Sequence, residues 1–255
     1  MRHARRPLRR ALVALAVCCA AMVAWSGAAG GQSRPSSPTP DARALLARGR
    51  ALFAQGCASC HGEDLRGRPQ LGPPLRGAGA AAADFYLSTG RMPLADPTDE
   101  PVRTRPLYPR ADIDALVAFV GSFGGPGIPR VDPARGSLSA GMAKYTEHCA
   151  GCHQIVGRGG IVTGAAVPAL DQATATQLAE AVRIGPYLMP KFSAKQLDQA
   201  TLDSIARYVQ SIRHPDNRGG WGIGNLGPVP EGMVAWFLAM VVLLAVARVI
   251  GEPAP

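Results

Sequence analysis

Apolar positions along the 255-residue chain fall first into a helical pattern that occurs twice. Ile113, Leu116, Val117 and Val120 follow i, i+3, i+4, i+7 spacing, and Leu202, Ile205, Ala206 and Val209 repeat it 89 residues later. Phe119 and Tyr208 keep the same offset. Upstream of each lies an Ala-rich apolar segment. In the first of these Asp41 is the expected N-cap, with Leu45, Leu52 and Phe53 on the apolar face. Its Gly49 and Phe53 recur as Gly141 and Tyr145 in the second segment. The chain between these elements is rich in Gly and Pro and predicts no strand. The pattern is that of a duplicated helical domain, in units small enough to need a staple, a metal or a cofactor.

Two further apolar runs are continuous. "GMVAWFLAMVVLLAVARVIG", Gly232 to Gly251, carries one charge, Arg248, and has the length of a membrane-spanning helix. The N-terminal stretch "MRHARRPLRRALVALAVCCAAMVAWSGAAG" has five arginines, an apolar run and then small residues. It reads as an export signal cleaved after Ala28 or Ala29, or as an uncleaved N-terminal anchor. Basic residues flanking both runs place both ends inside and the middle of the chain outside.

The net charge of +9 does not point to nucleic acid. Five of the positive charges lie in the N-terminal segment, which contains no acid; the remaining +4 forms no cluster. The cysteines decide more. Cys18 and Cys19 lie in the export segment, and the other four form "CASCH", Cys57 to His61, and "CAGCH", Cys149 to His153, 92 residues apart.

Three chemistries compete for such a motif. A structural zinc needs four donors, and a histidine adjacent to its cysteine is badly placed to join it on one tetrahedral ion. A redox dithiol belongs at the start of a helix beside an α/β sheet, and no such sheet is predicted. Covalent haem attachment uses all three residues: the thiols add to two vinyl groups and the histidine turns to the iron. Two such motifs with no spare cysteine point to two covalently bound haem c groups, held by Cys57, Cys60, Cys149 and Cys152, with His61 and His153 as iron ligands.

Elimination supplies the second axial ligand. Between residues 30 and 141 the one methionine is Met92, in "STGRMPL", 31 residues after His61. In the second half Met142 and His148 lie on the attachment side, leaving Met189, in "GPYLMPKF", ahead of His214. Both methionines precede proline. Met92 and Met189 are therefore the expected partners of His61 and His153. Pro73 and Pro168 lie in matching loops, "GPPL" and "VPAL"; their carbonyls are candidate acceptors for the other imidazole nitrogen, or they are simple loop prolines. His/Met ligation leaves no open coordination site, so such haems move electrons. The stretch "ADPTDE", Ala95 to Glu100, is a solvated loop or a docking surface, and nothing in the exported part forms a catalytic set.

"STGRMPL", "MPKF" and the run "GGWGIGNLGPVPEGM", Gly219 to Met233, resemble the di-haem cytochrome c subunit of the actinobacterial-type cytochrome bc1 complex, a menaquinol–cytochrome c reductase. The likeness covers about residue 40 to the end; Asp96 to Arg110 match least. It implies an all-α fold of two tandem class I cytochrome c domains plus a C-terminal transmembrane helix, in the cell membrane. It also implies cytochrome b and Rieske iron–sulfur partners, the Rieske protein feeding the first haem domain. The second haem would serve the copper centre of an aa3-type cytochrome c oxidase in a supercomplex. The expected organisation is 1–29 signal or anchor, 40–123 first domain, 124–136 linker, 137–213 second domain, 214–231 linker and 232–251 transmembrane helix. The alternatives are a cytochrome subunit of another extracytoplasmic dehydrogenase or oxidase, a di-haem peroxidase with one open iron, and a haem-based sensor or assembly factor.

Overall fold

The computed structural model describes residues 40–162, 164–213 and 228–251. The N-terminal signal or anchor, His214 and most of the second linker lie outside the described residues. Within them the first half contains α1 (Pro40–Gly56), α2 (Ala58–His61), α3 (Gly79–Ser88) and α4 (Arg110–Gly121). The second half contains α5 (Leu138–His148), α6 (Ala150–His153), strands β1 (Gly160–Val162) and β2 (Ala165–Val167), α7 (Ala175–Ile184) and α8 (Gln199–Arg213). The helix α9 (Pro228–Gly251) follows.

Two expectations are corrected in detail. Helix α1 begins at Pro40, so Asp41 lies inside its first turn and complements the helix dipole there, with Pro in the opening turn where its missing N–H costs nothing. The strand-free expectation fails at a hairpin in which Gly160 pairs with Val167 and Val162 with Ala165, antiparallel. Three residues per strand are too few to show a period-2 pattern.

Each half has its own core. In the first, Phe53 (2% exposed), Leu65, Ile113, Leu116 and Val120 are buried; in the second, Tyr145 (1%), Leu197, Leu202, Ile205 and Val209. Fully burying one such side chain contributes about 1.5–3 kcal/mol. The repeated glycines and aromatics explain the crossing of the long helices. A Cβ on Gly49 would lie 2.8 Å from Phe119 Cβ and against the Ala115 carbonyl of α4; one on Gly141 would lie 3.1 Å from Tyr208 Cβ and against the Ser204 carbonyl of α8. Only a residue without Cβ permits that approach. The aromatics then stack beside it, Phe53 on Phe119 with centroids 5.4 Å apart and Tyr145 on Tyr208 at 5.0 Å.

Two further helices have side-chain caps. Ser137 caps α5 by accepting the Ala140 N–H, and Thr174 with Gln177 forms a capping box on α7. The segment before α5 is bound to the closing helix of its own half: Asp132 N–H donates to Asp203 Oδ1 at 2.9 Å, and Arg207 Nη1 to the Gly136 carbonyl at 2.8 Å. Helix α9 contains an apolar stretch, Glu231–Gly251, none of it buried by protein. Twenty-one residues rise about 32 Å as a helix, enough to cross a bilayer core. Glu231, in its first turn, faces the helix N-terminus, and Arg248 the other end.

Candidate haem sites

Each long first helix delivers its half's motif. The chain leaves α1 at Gly56 and α5 at His148, and Cys57 and Cys149 adopt matching non-helical conformations before the single turns α2 and α6. Those turns are closed by His61 N–H and His153 N–H, donating to the Cys57 and Cys149 carbonyls at 3.0 and 2.9 Å. One turn of helix puts both cysteines and the histidine on one wall of the half.

The imidazoles are oriented alike. His61 Nδ1 lies 2.8 Å from the Pro73 carbonyl and His153 Nδ1 3.1 Å from the Pro168 carbonyl. A carbonyl only accepts, so Nδ1 carries the proton and Nε2 keeps its lone pair. That is the tautomer an iron ligand needs. Burial, partly offset by the bond to Pro168, lowers the His153 pKa. Gly72 makes room for the arrangement in the first half: a Cβ there would stand 2.9 Å from the Cys60 carbonyl oxygen and 3.1 Å from His61 Nδ1.

Cys57, Cys60, Cys149 and Cys152 form no disulfide with one another. Burial first, and then the neighbouring thiol, pushes Cys57 and Cys149 up to about 11. An activated redox dithiol has the opposite shift. Among the described residues no three His, Cys, Asp or Glu side chains converge to hold a metal ion.

The methionines reach the same cores as the cysteines. Met92 and Cys57 pack, half-buried, against the first cluster, and Met189 and Cys149 against the second. The Met92 N–H donates to the Tyr86 carbonyl at 3.1 Å and the Met189 N–H to the Pro186 carbonyl at 3.0 Å, so each Met-Pro loop is folded back on its preceding helix or turn. The rival Met142 is half exposed on α5, and the His148 ring packs against Phe192. Beside Met92, Arg91 carries a buried Nη1 with no hydrogen-bond partner, its guanidinium stacked 4.9 Å from the Phe85 ring centroid. A carboxylate-bearing group would satisfy that nitrogen.

The paired aromatics of the two halves differ by their hydroxyls, whose partners the sequence does not show. Tyr145 and Tyr208 stand where the first half has Phe53 and Phe119, and their hydroxyls donate to the Gln154 and Ile155 carbonyls at 2.9 and 2.8 Å. Two phenols thus anchor the chain leaving His153.

The family model described as "Cytochrome c" matches residues 46–123, and that described as "Cytochrome C oxidase, cbb3-type, subunit III" matches 136–209. A "Cytochrome bc1 complex cytochrome c subunit" of Corynebacterium diphtheriae is 34% identical over 98% of this chain and 97% of its own. Its counterpart in Mycobacterium tuberculosis is 37% identical over 97% of this chain and 93% of its own. The chain belongs to the cytochrome c subunits of the cytochrome bc1 complex. A "Cbb3-type cytochrome c oxidase subunit CcoP" of Azospirillum is more distant, 30% identical over 66% of this chain and 62% of its own. The bc1 subunit family makes this an electron-transfer protein of a reductase complex, with two cytochrome c domains and a candidate transmembrane helix. Cytochrome c domains carry covalent haem c, and the residues present fit it: free paired thiols, an Nδ1-tethered imidazole and a methionine on one apolar cluster.

Proposed function

We propose that this chain is the di-haem electron carrier of a respiratory menaquinol–cytochrome c reductase, anchored by α9 with its haem domains outside the membrane. Cys57 and Cys60 would hold one haem c, and Cys149 and Cys152 the other. His61 with Met92, and His153 with Met189, would ligate the two irons. A haem held in each half would supply one-electron ferrous–ferric chemistry. Electrons enter the first domain from the Rieske protein beside cytochrome b and leave the second for the copper centre of an aa3-type oxidase in a supercomplex. The tether makes each transfer intramolecular and independent of carrier concentration.

The observation that carries this reading is the repetition of one geometry. In each half the imidazole Nδ1 is held by a proline carbonyl, which leaves Nε2 for iron. A cysteine and a Met-Pro methionine reach that half's core. The protein's part is to fix the ring and present a thioether, which favours a high potential.

The test joins ligands to partners. Met92→Ala and Met189→Ala should each lower the potential of one haem and leave both haems covalently attached. Unchanged potentials with an unchanged low-spin spectrum would remove that methionine from the ligand set. Mild detergent extraction should recover the chain with cytochrome b, the Rieske protein and an aa3-type oxidase. The likeness of the second half to a cbb3-type oxidase subunit favours a second reading, as an oxidase subunit, and recovery with a haem–copper oxidase alone would establish it.

A further inference from the structure

Helix α3 of the first half packs against α7 of the second. Each is the last helix before its half's Met-Pro loop. Asp84 is the sixth residue of α3 and Glu180 the sixth of α7, so the contact brings equivalent positions of the duplicate together. Both are buried, at 3% and 0% exposure. Both Glu180 oxygens and Asp84 Oδ1 are buried with no hydrogen-bond partner among the described residues, and the carboxyl that acts on Glu180 is that of Asp84.

Two carboxylates in contact away from water do not both ionise. Arg110, at the start of α4, decides where the charge sits: its Nη1 lies 2.8 Å from Asp84 Oδ1, and its Nη2 lies 2.7 Å from Asp114. Glu180 therefore holds the proton. Burial and then the Asp84 charge push its pKa up to about 9, with Arg110 pulling the other way. The other charged groups near the contact are Arg183 on α7, which donates to the Phe192 and Leu197 carbonyls, and a group of arginines with Asp171. Arg103 Nη2 reaches across to the Gln172 carbonyl and Gln177 Oε1, both at 2.9 Å, and Arg91 and Arg213 are its cationic neighbours.

The contact is continuous with both methionine loops. The Tyr86 carbonyl on α3 accepts the Arg91 and Met92 N–H groups, and the Tyr86 phenol lies close to the backbone of Tyr187, two residues before Met189. Gln177 Nε2 on α7 donates to Ser88 Oγ at 3.1 Å.

We propose that Glu180 is a positioning residue for electron transfer between the two halves: as a neutral acid donating to the Asp84 carboxylate, it holds α3 on α7 and keeps the two Met-Pro loops adjacent. This rests on reading both halves as electron carriers. Parting α3 from α7 exposes Glu180 to water, where its carboxyl ionises in the ordinary range. The closed contact binds one more proton than the open one between that range and about 9. Raising pH through that window therefore shifts the equilibrium toward the open form by about tenfold per unit, and lowering it restores the contact.

Hydrogen–deuterium exchange on the full-length, haem-loaded protein in detergent tests this. Peptides covering α3 and α7 are followed from about pH 6 to about pH 9.5, after correction for intrinsic exchange. Wild-type opening should rise with pH, by up to about tenfold per unit. Glu180→Gln, which keeps a donor to Asp84 and cannot ionise, should remain protected and lose that pH dependence. Glu180→Ala should open the contact at every pH. Haem-to-haem equilibration after rapid one-electron reduction should slow with pH in wild type and not in Glu180→Gln. Identical pH profiles for wild type and Glu180→Gln, or full protection in Glu180→Ala, would overturn the proposal. Haem spectra and potentials, read on the same samples, test the electron-carrier reading separately: their failure leaves the exchange result standing, and the reverse holds too.

Discussion

Gly141→Ala puts the helix crossing of the second half to a quantitative test. The new Cβ would press on the Ser204 carbonyl, with Ser204 C at 2.6 Å and Tyr208 Cβ at 3.1 Å. Comfortable carbon contacts begin at about 3.5 Å. The obstacle is the main chain of α8, so no rotamer change relieves it, and α5 must lift by on the order of 1 Å. That loosens Tyr145 and Ile205, both 1% exposed. Overpacking costs about 1–3 kcal/mol, and a clash with main chain belongs at the upper end. Alanine returns about 1 kcal/mol of helix propensity. The clash wins by about 2 kcal/mol, which in a domain of this size lowers the melting temperature by about 8–16 °C. The assay is thermal unfolding of the haem-loaded protein followed by circular dichroism. Gly151→Ala serves as control, since its Cβ would meet nothing within 4 Å and the first motif already carries Ser59 at that place. If Gly141→Ala melts at or above wild type, propensity outweighs the clash and the glycine is not there for the crossing.

Gly72→Ala should disturb the orientation of His61, because its Cβ would lie 3.1 Å from Nδ1. Loss of the bond to Pro73 makes the imidazole a weaker base, so the first haem's potential should rise, by on the order of tens of millivolts, with the second unchanged in redox titration. Tyr145→Phe and Tyr208→Phe should each cost about 1 kcal/mol in chemical denaturation, the net worth of the hydroxyl bonds to Gln154 and Ile155. Phe53 and Phe119 hold the equivalent places in the first half, so neither substitution should prevent folding.

What was legible in sequence was whatever repeats along one element. The spacing of Ile113, Leu116, Val117 and Val120 gave the buried face of α4, and the recurrence of Gly49 and Phe53 as Gly141 and Tyr145 marked both crossings. The proline carbonyls at Pro73 and Pro168 were also foreseen as imidazole acceptors, because the loops repeat. The hairpin at Gly160–Val167 was not, since it rests on backbone pairing between two very short segments. The phenol anchors were visible as Phe-to-Tyr differences, but a hydroxyl's partner is set by the loop folded over it. Arg103 lies in the stretch that least resembles the family, and its role across the halves needs the position of α7.

The pairing of α3 with α7 explains the least expected group in the molecule. When two copies of one domain meet through the same helix, equivalent positions can come to face each other, as the two sixth residues do here. An acid at such a position then meets an acid, as Asp84 meets Glu180. In a symmetric pair both would compete equally for one proton. Here the halves have diverged: Arg110 belongs to the first, pairs with Asp84 and leaves the proton to Glu180. A buried acid pair is therefore a physical consequence of packing a duplicated helix on itself. The sign of its effect follows from the side that carries the arginine. Moving that charge, by Arg110→Gln, removes the bias and should raise the pH at which α3 and α7 part, because Arg110 no longer pulls the Glu180 pKa down. A fall in that pH would mean that Arg110 supports the contact chiefly by tying α4 to Asp84 and not by placing the proton.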